Sequence, residues 1–249
     1  MLIQALYVRT ADAADRYQQY LPSIRVWAAE VDAAFAASAQ TTGHPRHLRF
    51  VTNAACQVEV PAVELPVGAV ETFGNTITAL EQLGYNRADR KYLLFVDAKV
   101  FCGTGTIIYD SQPGATNLNN THSGYARIDS GCWGLKPLLH ELIHTLGGVQ
   151  HDAPHSSHGW HCTDEYDIMC YSDAPHHPAV SYLCPEPSNE GQIDCNHDDY
   201  FHTNPPPDNY LATHWNIANS AFLIASAGPT LPPAVTLIAP AAPMTIRLV

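Results

Sequence analysis

The run His140-Glu141-Leu142-Ile143-His144 constrains this chain more than any other feature. Around it, Leu138, Leu139, Leu142, Ile143 and Leu146 recur at the spacing of one helical face, which predicts a packed α-helix over 135–146. Pro137 near the start and Gly147-Gly148 after the end mark its limits. Two histidines four residues apart lie on the same side of such a helix, one turn from each other. So wide an apolar face sets both imidazoles beside the core, where a polar ring needs a partner. A zinc ion gripped by both rings is such a partner, and Glu141 between them can hold a water against it. An amphipathic helix with two surface histidines would suit the bare pentapeptide but not these apolar neighbours.

The chain has 249 residues, enough for one sizeable domain, and no apolar run approaches a membrane span. Its net charge of −12, with lysine only at 91, 99 and 136, argues against nucleic acid and anionic membranes as partners. The expected partner is a protein or peptide substrate, and the chain is expected to be a monomer. None of the seven cysteines sits in a C-x-x-C pair, so their scatter points to disulfides in an oxidising compartment rather than a zinc ribbon. Cys162 with Cys170 and Cys184 with Cys195 would close short loops and are the expected pairs. Cys56, Cys102 and Cys132 leave one further bridge and one free thiol. Met1 leads directly into a strand-like run, so the sequence reads as a mature secreted domain.

An α+β fold is expected: a mixed twisted sheet with helices in the N-terminal half, then the metal helix, then an irregular half and a final helix. Strands are predicted at 2–8, 47–52, 57–60, 91–98 and 105–110, and helices at 15–40 and 71–83. Residues 111–130 read as loop with a short strand at 126–128. One domain is expected over 1–228, divided into a sheet-and-helix half (1–147) and an irregular, disulfide-tied half (148–228) whose last helix spans 209–225. The proline- and alanine-rich segment 229–249 reads as a linker or extended terminus.

A catalytic zinc needs a third protein ligand and an open position. Here the chain resembles the metzincin metalloproteases, whose pattern is H-E-x-x-H-x-x-G-x-x-H. His140, Glu141, His144 and Gly147 match it; Gln150 stands where the last histidine belongs. His151, one place later, and His155 are the leading candidates for the third ligand, with His161 and Asp164 more distant ones. A second resemblance lies in Asp167-Ile168-Met169-Cys170-Tyr171, which is similar to the methionine turn of that family. It implies Met169 as an apolar floor beneath the metal and Tyr171 as a residue able to touch the zinc or the reaction's oxyanion. In size the chain is similar to the small secreted bacterial metzincins of the snapalysin kind.

Together these features imply a secreted zinc endopeptidase with Glu141 as general base. Two alternatives stay open. One is a gluzincin-type arrangement with Glu165, twenty-one residues beyond His144, as third ligand. The other is a zinc-containing binding or adhesion domain without turnover, against which Glu141 speaks. The acidic cluster 194–199 offers hard oxygen ligands that could hold calcium, or simply forms a solvated loop. Cys132 before Trp133 is a weak hint of a cysteine nucleophile.

Overall fold

A computed structural model describes residues 1–184 and 191–225; the 229–249 segment lies outside the described residues. Five strands form the central sheet in the order β3-β1-β4-β6-β5. They are β1 (Leu2–Thr10), β3 (Ala62–Leu65), β4 (Arg90–Val96), β5 (Gly103–Gly105) and β6 (Gly124–Asp129). The first four positions pair in parallel, and β5 closes one edge antiparallel to β6.

Alternation along the strands divides the core in two. Ile3, Ala5 and Tyr7 of β1, Leu93 and Phe95 of β4, and Ala126 and Ile128 of β6 face one side. Leu6 and Val8, Tyr92, Leu94 and Val96, and Tyr125 face the other. Burial on both faces explains why β4 reads as an almost unbroken apolar run. Helix α1 (Tyr17–Thr41) covers the first side, burying Ile24, Ala28, Val31 and Phe35 at spacings of four, three and four. Helix α2 (Phe73–Gln82), capped by the Thr72 side chain accepting from the Asn75 N–H, covers the second with Ala79 and Leu80.

The predicted metal helix is α4 (Leu135–Thr145), packed against α1 and across β5 and β6. It buries Leu138, Leu139, Leu142 and Ile143 completely, each contributing about 1.5–3 kcal/mol over exposure. Its end is a Schellman motif. The Gly147 N–H donates to His144 O (2.9 Å) and the Gly148 N–H to Ile143 O (3.1 Å). Gly147 adopts φ +96°, and a Cβ there would lie 2.6 Å from Trp215 Nε1. Trp215 in turn donates to Leu146 O (2.8 Å).

Elsewhere the elements differ from expectation for local reasons. The strand predicted at 105–110 ends at Gly105, because side chains take the backbone groups a neighbouring strand would need. Asn119 and Gln150 bond the Ile108 N–H and C=O, and Gln150 Oε1 accepts from the Asp110 N–H. The supposed loop 111–130 contains a short helix, α3 (Leu118–Thr121), and all of β6. The short strand expected at 126–128 is present and extends on both sides to 124–129; within it the Arg127 guanidinium is fully buried, paired with Asp129 (2.8 Å) and bonded to Thr76 Oγ1. Strand β3 was not anticipated; Val63 and Leu65 point inward and Ala62 and Glu64 outward along a short edge. Of the strands at 47–52 and 57–60, only β2 (His47–Leu48) and isolated bridges at Phe50, Thr52 and Val58 form.

The final helix predicted at 209–225 is not one. The segment makes two single 3-10 turns, Tyr210–Ala212 and Ile217–Asn219, and then β7 (Leu223–Ile224), which pairs with β2. Asn209 and Asn216 each accept a hydrogen bond from the N–H two residues on, restarting a turn at each site instead of letting one helix continue.

The expected disulfides Cys162–Cys170 and Cys184–Cys195 are present, the third bridge joins Cys102 to Cys132, and Cys56 is the free thiol. Cys132 is thereby removed as a nucleophile. Among the described residues no helix is long and apolar enough to cross a membrane.

The glycine that ends α4 gives a direct test of this arrangement. Gly147→Ala combines left-handed backbone with a collision at Trp215 and should cost on the order of 2 kcal/mol or more in chemical denaturation. A change below about 0.5 kcal/mol, the range of ordinary surface substitutions, would contradict the motif.

Candidate metal centre

Three imidazoles converge beside α4 at the floor of a cleft. His161 Nε2 lies 3.2 Å from His140 Nε2 and 3.1 Å from His144 Nε2. Each ring's other nitrogen is committed. His140 Nδ1 donates to Ile168 O (2.8 Å), His144 Nδ1 to Gly148 O (2.9 Å), and His161 Nδ1 to Asp173 Oδ2 (2.5 Å). The first two partners are carbonyls, which only accept, so those protons sit on Nδ1. In the neutral rings Nε2 then carries a lone pair and no hydrogen. Three lone pairs thus face one another, and the Tyr171 hydroxyl, 2.9 Å from His161 Nε2, is a donor for one of them. A divalent cation resolves this crowding, and three imidazoles anchored through their second nitrogens are the donor set such an ion takes.

Electrostatics favour the neutral rings. Burial drives the His140 pKa down to about 4 against the pull of the Ile168 carbonyl, with His161 adding to the fall. Burial, followed by the two neighbouring histidines, holds His144 well below its ordinary value. Burial also lowers His161, although Asp173 opposes it.

The ring that joins the two helix histidines is thus His161. Neither His151 nor His155 joins the cluster. His151 lies on the Trp160 ring, with centroids 3.8 Å apart. His155 faces Asp199 and Asp164. Gln150 is a structural pin: its Nε2 donates to Ile108 O and Gly147 O, tying the end of α4 to the chain beyond β5. The grouped ligand atoms do not include Glu165, whose backbone N–H donates to Ser181 O. Asp164 belongs with His155.

The reason for His161 is the Cys162–Cys170 bridge. The Cys162 N–H donates to Met169 O and the Tyr171 N–H to Cys162 O, so residues 161–162 and 169–171 run side by side. That ladder brings His161, the Tyr171 hydroxyl and the Ile168 carbonyl to one place. Met169 is fully buried in the core shared with Leu139, Leu142 and Ile143. Asp167 supports the turn, accepting from the Met169 N–H (2.7 Å), the Tyr200 hydroxyl (2.7 Å) and the Cys195 N–H (2.9 Å). The sequence held a signal for His161: the expected Cys162–Cys170 pair already places its neighbours beside the methionine turn.

Glu141 lines the same cleft with Gly103, Thr104, Gly105, Ile107, Trp160 and Tyr171. Burial raises its carboxyl to about 8 in the absence of a cation. The two glycines of β5 let the edge strand lie directly on α4. A Cβ on Gly103 would collide with Glu141 Oε1, and one on Gly105 would lie 2.8 Å from Glu141 O and 3.0 Å from His144 Cβ. Burial also pushes the Tyr171 hydroxyl up to about 12, helped by Asp173 and Glu141, so it stays protonated and able to donate.

The acidic cluster 194–199 divides. Asp194 is wholly buried and accepts from the N–H groups of residues 198–201, so it organises its own loop. Asp198 and Asp199 turn instead toward His155.

No family model matches the chain, and no curated protein matches it. Among solved structures it is similar to a chain of "Structure of a chaperone-substrate complex", at 14% identity and a TM-score of 0.40. The alignment covers 78% of this chain and 32% of that one, so the chain spans about a third of that neighbour's length.

Two measurements test the centre. His161→Ala should weaken zinc binding by more than the ~10–100-fold typical of losing an outer partner, and Asp173→Ala by about that amount, whereas His151→Ala should leave it unchanged. Competition with a chromophoric chelator reads all three, and a large loss in His151→Ala would contradict the geometry. The pH dependence follows from the His140 shift, from 6.5 to about 4. Between those values the unfolded chain binds a proton that the folded chain refuses, so this contribution to stability is full above pH 6.5 and lost as pH falls toward 4. Chelator-treated wild type should therefore lose melting temperature more steeply over that window than His144→Asn, in which one of the three lowered rings is gone; parallel curves would contradict the assignment.

Proposed function

We propose that this chain is a zinc-dependent endopeptidase of metzincin type, acting in an oxidising extracellular compartment. The observation that carries the reading is the meeting of three deprotonated imidazole nitrogens beside a buried glutamate in an open cleft. Three disulfides in a chain of this size fit that compartment. The third histidine comes from a disulfide-tied loop rather than from the Gln150 position, which is where the chain departs from the family pattern.

His140, His144 and His161 would hold the ion. When bound, zinc lowers the pKa of water toward ~7 and polarises a carbonyl. Glu141 is placed to take the proton of the attacking water and pass it to the leaving amine. Beside a bound cation the raised pKa of Glu141 would fall, which would leave its carboxylate ionised when the base is needed. The Tyr171 hydroxyl, already directed at the imidazole cluster, is placed to donate to the developing oxyanion. Strand β5 orients the substrate: its outer edge has no partner strand among the described residues and runs along the cleft. An extended peptide can add to that edge through main-chain hydrogen bonds, setting a scissile bond over the three histidines. Charge-poor β5 side chains, two of them hydrogen atoms, leave the edge open to peptides of varied sequence.

Hydrolysis of a fluorescent casein should be abolished by a chelator and restored by zinc. Glu141→Gln should retain zinc and lose about 10²–10⁴-fold in kcat. Tyr171→Phe should lose up to about 10²–10³-fold in kcat with KM little changed, as expected of a group acting in the transition state. Full activity in Glu141→Gln, or hydrolysis indifferent to the chelator, would refute the proposal.

A further inference from the structure

A second group of metal-type ligands lies in the lower half of the chain, separate from the three histidines. His155 Nδ1 is 3.2 Å from Asp199 Oδ2, 3.5 Å from Asp164 Oδ2 and 3.7 Å from Asp198 Oδ1. One donor atom from each residue lies within 4.8 Å of all the others.

Two of the three carboxylates are withdrawn from solvent, while His155 and Asp198 are about a third exposed. The side chains of Asp164 and Asp199 are 3% and 2% exposed. Asp164 Oδ1 and Asp198 Oδ1 are buried and have no hydrogen-bond partner. An orphaned buried carboxylate oxygen is costly, and here three carboxylates face one imidazole. Even a protonated His155 balances only one of three negative charges. Burial and mutual repulsion accordingly raise both Asp198 and Asp199, against the pull of His155.

The cluster is also rigidly built. Asp199 Oδ1 accepts from the His155 N–H (2.8 Å), and Asp164 Oδ2 accepts from Asn196 Nδ2 (3.0 Å). Asp194 fixes the 198–199 backbone from within, and the Cys162–Cys170 and Cys184–Cys195 bridges flank the two strands of chain that carry the aspartates. Three separate segments are thus held with their ligand atoms converged before anything binds.

We infer that His155, Asp164, Asp198 and Asp199 form a second divalent-metal site, structural in role, that takes an ion accepting both imidazole nitrogen and carboxylate oxygen. Calcium and magnesium favour all-oxygen shells, whereas zinc and manganese accept this mixture. Four protein donors suit a closed structural site, and among the described residues no glutamate joins this cluster as Glu141 does the three-histidine cleft. The ion would tie the loop after α4 to the 198–199 loop and so brace the segment that carries His161.

The test is metal stoichiometry on the full chain, stripped by chelator and dialysed against zinc, manganese or calcium chloride separately, with bound metal measured by mass spectrometry. Wild type should bind two equivalents of zinc. His161→Ala, which disables only the first centre, should retain one equivalent and still gain melting temperature on adding zinc. His155→Gln with Asp164→Asn should bind one equivalent and keep chelator-sensitive peptidase activity. One equivalent in wild type, none in a folded His161→Ala, or two in the double variant would overturn the second site. So would binding of calcium alone that is unchanged by His155→Gln, since it leaves the imidazole no part in the site. If the double variant fails to fold, the wild-type and His161→Ala stoichiometries decide the matter. A chain that binds two zinc ions yet hydrolyses nothing would sink the peptidase reading and leave the second site standing.

Discussion

Everything at the cleft depends on three imidazole nitrogens turned toward one another with no proton between them. Each ring is held there by its second nitrogen, on the carbonyls of Ile168 and Gly148 and the carboxylate of Asp173. Without those acceptors the rings could exchange tautomers or turn away, and the convergence would be lost. The outer contacts are thus as much a part of the centre as the nitrogens that meet in it.

The rest of the fold supplies the acceptors. The sheet and α1 bury the apolar face of α4, and its two histidines line the cleft on the other side. The Schellman turn that ends the helix through Gly147 also presents the Gly148 carbonyl to His144. Below the helix, the Cys162–Cys170 bridge fastens the His161 segment to the methionine turn, which carries the Ile168 carbonyl and Tyr171. Above it, β5 approaches so closely that only glycine fits at 103 and 105, and this sets a free strand edge along the cleft. The buried Arg127–Asp129 pair holds that edge, because Asp129 Oδ2 also accepts from the N–H groups of Val100 and Phe101, just before β5.

Much of this was legible in the residues. Periodicity found α1, α2 and α4 within a few positions, because each is long and one-sided. Two disulfides followed from their short loops. What misled was side-chain chemistry acting on backbone: Asn119 and Gln150 ending a strand, and Asn209 and Asn216 breaking a helix into turns. Distance along the chain, used in place of distance in space, favours His151 and His155 as neighbours of the helix pair. His151 and His155 are nearer in sequence, but the disulfide ladder brings His161 into the cluster from seventeen residues beyond His144.

The most direct measurement is anomalous diffraction at the zinc absorption edge from crystals of the metal-loaded protein. A peak is expected about 2.0–2.1 Å from the Nε2 atoms of His140, His144 and His161, with Glu141 close by but not bonded to it. A peak bonded to His151 or Glu165 in place of His161, or none between the paired histidines of α4, would contradict a three-histidine centre.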